Sequence, residues 1–206
     1  MTSLIHPRLE CLYRYWLSIK KNRQMPTKTD LDLRQIPSYL PSVFLIEWDP
    51  VDMVFRWRLT GTSLYTLWGR ELSTSPVLDL WGPGQRHEVA STLQRARTAF
   101  QPFCMRLRGL NDVTHDLRLE MLTVPLLDTS STNILIFGGL VSCTLPFWLE
   151  HHHLQSLSTW ETVALNSSDP DLQNIPKVSL APVSIPQMHE AKNHQEQKSH
   201  VGYKSN

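Results

Sequence analysis

The sequence predicts an α+β domain built on one antiparallel sheet. Three observations carry that expectation. Five segments show strand patterning, grouped as two and then three. Within each group the breaks are of hairpin length, not the dozen or more residues a parallel crossover needs. Between the groups lie stretches of helical period, so helices and strands are segregated rather than alternating.

The elements follow in order. Residues 7–21 read as a helix with Pro7 at its start, where a missing N–H costs nothing. Leu9, Leu12, Tyr13, Trp16 and Leu17 fall along one face at helical spacing. Pro26 confirms its end. A linker over 26–32 leads to a helical turn at 33–40, interrupted by Pro37 and closed by Pro41. Residues 43–48 are apolar apart from Glu47. Residues 53–59 alternate Phe55, Trp57 and Leu59 against Arg56 and Arg58, and the break at 49–52 makes these two a hairpin. A short helix is expected at 64–68, capped by Thr62 or Ser63 and ended by Gly69 in a left-handed conformation. A second short apolar segment occupies 77–81. Gly82-Pro83-Gly84 is a hard break. Residues 85–100 read as the next helix, with Val89, Leu93, Ala96 and Phe100 on one face.

Three strands close the domain. Residues 102–108 alternate Phe103, Met105 and Leu107 against Cys104, Arg106 and Arg108. Residues 115–125 alternate Leu117, Leu119 and Met121 against Arg118, Glu120 and Leu122. Residues 132–143 are almost entirely apolar, as a strand buried on both faces would be. Gly138-Gly139 inside it suggests a bulge or a close backbone approach. From Ser167 onward there is one aromatic, Tyr203, among four prolines and many polar residues. Such a segment buries too little apolar area to offset backbone ordering, and a disordered tail is expected. The organisation read from the sequence is therefore an N-terminal helix and linker over 1–42, a domain over 43–145, an extension over 146–166 and a tail over 167–206.

Composition excludes several classes. The 206 residues are 41% hydrophobic and 19% charged, with a net charge of +1. That is enough apolar content for a core and no bulk polycation for phosphate neutralisation. Thirteen of the twenty Lys and Arg are arginines, the last being Arg118. A local basic face thus stays open where a general polyanion binder does not. No apolar run approaches the roughly 20 residues that cross a bilayer. Residues 1–7 lack the charged-then-apolar pattern of a secretion signal, so a cytoplasmic location is expected. Cys11, Cys104 and Cys143 are too widely spaced for a CxxC site.

A resemblance sharpens the fold. The helix with Leu12-Tyr13-Arg14-Tyr15-Trp16 is followed by Met25-Pro26, then Asp30-Leu31-Asp32, then Ile36-Pro37. Next come Phe55-Arg56-Trp57-Arg58-Leu59-Thr60-Gly61-Thr62 and Gly69-Arg70-Glu71-Leu72. In order and spacing this resembles the small stand-alone PAS-like proteins of alphaproteobacteria, over roughly residues 5–145. The resemblance implies a PAS-like five-stranded antiparallel sheet with flanking helices. It implies a sensor or interaction module that binds a small molecule between sheet and helices, or dimerises and signals to a partner.

Specific chemistries each need particular residues. A haem site needs an axial histidine, and the candidates His87 and His115 fall in a first helical turn and beside a turn, where solvation is expected. No flavin-photosensor cysteine helix is present. His151-His152-His153 diverge on any regular backbone and are read as a solvated run rather than a metal site. No GxSxG, HExxH, Walker loop or dinucleotide fingerprint occurs. Asp30 and Asp32 sit in the linker and Asp169 and Asp171 in the tail, where nothing would tune them as catalysts. No enzyme, metal or named cofactor is expected.

The expected function is a non-catalytic signalling module acting through protein contact or a homodimer. Its interaction surface is the helix stripe Leu9, Leu12, Tyr13 and Trp16 together with the arginines Arg56, Arg58, Arg106, Arg108 and Arg118. In a sheet these arginines would lie side by side; the favoured reading of that face is a solvated surface held by salt bridges, and the functional reading is a surface suited to carboxylate or phosphate. The alternative is a small-ligand sensor whose apolar pocket is lined by Phe55, Trp57, Leu64, Trp68, Phe103, Met105, Met121, Phe137 and Gly138. Nucleic-acid binding is the least favoured reading, and no membrane association is expected.

Overall fold

The computed structural model describes residues 6–111, 116–144 and 146–166. The expected tail and His115 lie outside them. Among the described residues, no helix is long and apolar enough to cross a membrane.

The chain opens with α1 (Pro7–Lys20), capped by His6, whose Nδ1 accepts the Arg8 N–H at 3.2 Å. Three 3-10 turns, at Lys28–Asp30, Leu33–Gln35 and Pro37–Ser42, carry it to β1 (Val43–Asp49) and β2 (Val54–Thr60). Then come α2 (Thr62–Trp68), a 3-10 turn at Val77–Leu80 and α3 (Pro83–Thr98). The strands β3 (Phe103–Leu110), β4 (Asp116–Asp128) and β5 (Asn133–Ser142) follow. A 3-10 turn at Phe147–Glu150 leads to β6 (Ser156–Ala164).

The six strands form one antiparallel sheet in the order β2-β1-β5-β4-β3-β6. The expectation of five strands is corrected by β6. The stretch read as an extension pairs along the full length of β3, from Phe103 opposite Ala164 to Leu110 opposite Ser156. Its pattern was muted because Ser158, Thr159 and Thr162 dilute the alternation of Leu157 with Trp160.

Both faces of the sheet are covered, by different layers. On the inner face α2, the Val77–Leu80 turn and α3 bury Phe44, Ile46, Phe55, Trp57, Met105 and Met121. On the outer face α1 presses Leu9, Leu12, Tyr13 and Trp16 onto Leu122, Val124 and Leu126 of β4 and Leu135, Phe137 and Val141 of β5. Each large side chain so buried contributes about 1.5–3 kcal/mol. The Trp16 indole N–H also donates to the Pro125 carbonyl at 2.9 Å. β5 is apolar between its terminal Asn133 and Ser142 because it faces a core on both sides.

Its two glycines serve one core each. A Cβ on Gly138 would overlap the Leu122 carbonyl oxygen and lie 2.6 Å from Phe44 Cζ on the inner side. A Cβ on Gly139 would lie 2.9 Å from Leu9 Cδ2 and Leu12 Cδ2 on the outer side. Both glycines mark close packing of the chain's own side chains, not space left for a ligand.

Three local expectations are corrected. The register of β1 on β2 shifts between Leu45 and Ile46, so that Ile46 faces Trp57 and Leu45 faces Leu59. The extra residue turns Leu59 to the outer face, where it is 45% exposed. α3 begins at Pro83 and ends at Thr98, leaving Phe100 outside it at φ 54°. The N-cap of α2 is Gly61, with no side-chain cap bond, in place of Thr62 or Ser63. Gly69 does end α2 in the left-handed region, at φ 63°.

Candidate functional site

The sheet offers two places where function can sit. The first is the inner space between sheet and helices. Phe55, Trp57, Leu64, Trp68, Phe103, Met105 and Met121 meet there in one cluster, none more than 5% exposed. Alternation along each strand aims Phe55 and Trp57 from β2 and Phe103 and Met105 from β3 at the helices. The Phe44 ring meets Trp57 edge-on at 5.2 Å. Two members of the expected pocket do not join as supposed. Phe137 points the other way, into the core under α1, because it is one residue out of phase with Ile136 and Gly138. Gly138 is met by Phe44.

Polar atoms in this core divide sharply. The Trp81 indole N–H donates to Thr159 Oγ1 at 2.9 Å. Trp57 Nε1 and Trp68 Nε1 are buried and have no hydrogen-bond partner among the described residues. An unpaired buried donor is costly, on the order of 1–3 kcal/mol. These two N–H groups are what the inner space can offer an acceptor atom.

The second place is the outer face. Its arginines do not form one row. β1, β5 and β4 separate Arg56 and Arg58 on β2 from Arg106 and Arg108 on β3. Arg56 pairs with Asp49 at 2.9 Å and with Asp52, and donates to the Thr74 carbonyl at 3.1 Å. Arg58 reaches Glu47 and Asp128, both at 3.2 Å. Asp128 is itself held by Ser130, whose hydroxyl, ahead of Lys28 and Arg58, keeps its carboxyl below the usual range. The β2 arginines are thus tied into the fold.

On the other side Arg106 pairs with Glu161 across to β6. Arg108 pairs with Asp116 at 2.8 Å. Arg118 stands directly opposite Arg108 in the β3–β4 register, and its guanidinium has no carboxylate partner among the described residues. Trp160, on β6, is 60% exposed, with the Arg106 guanidinium 5.7 Å from its ring centroid. Arg108, Asp116, Arg118, Ser158 and Trp160 line a groove of about 600 Å³. Trp160 was not singled out from the sequence, because its position matters only once β6 is known to pair with β3.

The helix stripe is also corrected. Leu9, Leu12, Tyr13 and Trp16 are at most 1% exposed and packed against the chain's own sheet. In this arrangement they are core, and a partner cannot reach them. Above them in β4, Glu120 is 1% exposed and accepts the His6 backbone N–H at 2.8 Å and the Cys104 thiol at 3.3 Å. Burial, then the Glu120 charge, pushes the Cys104 thiol well up, so it is no nucleophile.

His87 is exposed on α3. The His153 ring lies over Gly69, with Nδ1 3.2 Å from the Thr66 carbonyl oxygen. Among the described residues no group of three or more His, Cys, Asp or Glu is gathered to hold a metal ion. Asp30 is occupied by Thr27 and Arg23, and Asp32 by Arg34 and Gln35.

Comparison with known proteins gives one family. A family model described as a PAS domain matches residues 4–141. Among solved structures, the chain is similar to the PAS domain of a protein from Colwellia psychrerythraea. The identity is 16% and the TM-score 0.40, over 54% of this chain and 97% of that one. No curated protein matches.

Proposed function

The chain belongs to the PAS domain family, and from that premise we propose that it is a signalling module whose output is contact with a partner protein. The observation that supports this reading is the packing of the inner space. Where a ligand would lie between sheet and helices, Phe44, Trp57, Trp68, Met105 and Met121 belong to one buried core cluster, with the Phe44 ring against Trp57. Close-packed interiors leave little room for a guest without rearrangement. No residue is assigned a catalytic role; Asp30 and Asp32 are each tied to neighbours. A dimer is one form such contact takes.

A second reading is favoured by the two unpaired indoles. Trp57 and Trp68 each hold a buried N–H without an acceptor. A small molecule with a carbonyl or ether oxygen would satisfy them if the core opened. Native mass spectrometry of the full chain purified from its own host separates the readings. The contact reading expects the bare polypeptide mass. A stoichiometric adduct that disappears in Trp57→Phe and Trp68→Phe would overturn it in favour of the sensor.

A further inference from the structure

We propose that the outer groove between β4, β3 and β6 docks an extended acidic segment of a partner protein, with Arg108 and Arg118 as its carboxylate clamp and Trp160 as its apolar anchor. The inference rests on the protein-contact reading and adds the surface and the partner's chemistry.

The register carries it. Arg108 and Arg118 are a directly opposed cross-strand pair, with side chains about 5 Å apart at Cβ. Like charges so placed repel, and sheets ordinarily avoid the arrangement or compensate it. The groove lining supplies one carboxylate, Asp116, to two guanidiniums. The Arg118 guanidinium is left without a carboxylate partner among the described residues. The remaining acids nearby are committed elsewhere. Glu161 holds Arg106. Glu120 is buried under the first turn of α1 and does not line the groove.

Trp160 supplies the second part. Its indole is 60% exposed with the Arg106 guanidinium over its face, so a large apolar ring stands at the surface. Arginine and tryptophan together are the residue types that dominate protein-contact energetics. α1 does not cover this area. It packs on β4 and β5, and its cap residue His6 bonds Glu120, two residues beyond Arg118 along the strand.

The complement is therefore a segment with closely spaced carboxylates beside an apolar side chain. Arg forks bind carboxylates in bidentate fashion, which gives orientation as well as attraction. An extended segment places alternate side chains on one face about 6.6 Å apart. That suits two guanidiniums on neighbouring strands.

The test uses the full chain and a fluorescein-labelled peptide of alternating Glu and Leu, read by fluorescence anisotropy. An alternating Lys and Leu peptide is the control. The wild type is expected to bind the Glu–Leu peptide, to ignore the Lys–Leu peptide and to release its ligand as salt rises. Arg108→Glu with Arg118→Glu should weaken binding by about tenfold or more, and Trp160→Ala by several-fold. The Arg108→Gln with Arg118→Gln variant, which removes charge without reversing it, should fall between, with unchanged circular dichroism. Arg34, 90% exposed on its side chain and far along the chain from the groove, serves as the comparison, and Arg34→Glu should stay within about twofold. Equal loss in Arg34→Glu, or no loss in the double variants, overturns the proposal. Binding of a single-stranded DNA oligonucleotide in place of the Glu–Leu peptide overturns it in favour of phosphate recognition. Self-association in sedimentation that Arg118→Glu abolishes overturns it in favour of a second copy. None of these outcomes depends on whether a small molecule co-purifies, so failure of this surface and failure of the contact reading are separately visible.

Discussion

The two faces of the sheet are built from the same strands and end in different states. The inner face is covered along its length by α2, the Val77–Leu80 turn and α3, and it closes into one cluster. The outer face is covered by α1 over β4 and β5, while its β3–β6 margin stays open with Trp160 60% exposed. Polar groups follow suit. Inner polar atoms are paired or stranded, as with Trp81 against Trp57 and Trp68. Among the described residues, the strand arginines Arg56, Arg58, Arg106 and Arg108 are paired with carboxylates and Arg118 is not. One sheet thus separates a face closed along its length from a face closed over β4 and β5 only. The sensor reading places function on the inner face, and the contact reading places it on the outer margin.

The largest expected effect lies where the outer face is closed. Trp16→Ala removes a fully buried ring and its bond to Pro125, and a loss of about 3–5 kcal/mol is expected in urea denaturation. A loss below about 1 kcal/mol would mean α1 is not docked as described.

Next come the adjacent glycines, one for each face. Gly138→Ala meets backbone oxygen and an aromatic ring, neither of which yields easily. Gly139→Ala meets the tips of two leucines, which can rotate. The first should cost about 1–3 kcal/mol and the second under about 1 kcal/mol. Thermal melts of the two variants compare them, and equal losses would erase the assignment of one glycine to each core.

A smaller difference tests the inner face alone. Trp81→Phe and Trp57→Phe delete the same volume, but only the first breaks a hydrogen bond. Trp81→Phe should be the more destabilising by about 1 kcal/mol. The reverse order in denaturation of host-purified protein would point to an acceptor bound at Trp57.

The smallest effect is a pH dependence on the exposed linker. Hydrogen bonding from Arg34 holds the Asp32 carboxyl at about 2, below its ordinary 3.8. A carboxyl depressed in the folded state stabilises above its unfolded value, and that contribution is lost as pH falls through the folded one. The stability of wild type relative to Arg34→Ala should therefore narrow between about pH 4 and pH 2. A gap that stays constant across that window would show that the pair contributes nothing.

Much of the fold was legible because it is written in local period. The stripe of α1, the left-handed Gly69 and the doubly apolar β5 all follow from neighbours in sequence. What escaped depends on partners far along the chain. β6 becomes a strand because β3 offers it an edge, and its own alternation is diluted by Ser and Thr. Leu59 changes face because one extra residue in β2 shifts the register. Five arginines on alternating positions looked like one row, yet strand order places three strands between Arg58 and Arg106. Phe137 was assigned to the inner space by its size, while the parity of β5 sends it outward. The candidate site was legible as residue types and not as a place.

The most direct test reads the indole N–H signals of the ¹⁵N-labelled chain, with those of Trp57, Trp68 and Trp160 assigned by substitution. One titration adds the low-molecular-weight fraction of a host extract and another adds the Glu–Leu peptide. The account expects the Trp57 and Trp68 signals to stay in place in the first and the Trp160 signal to move in the second. Movement of Trp57 and Trp68 with the small-molecule fraction, and none of Trp160 with the peptide, would contradict it and put the function on the inner face.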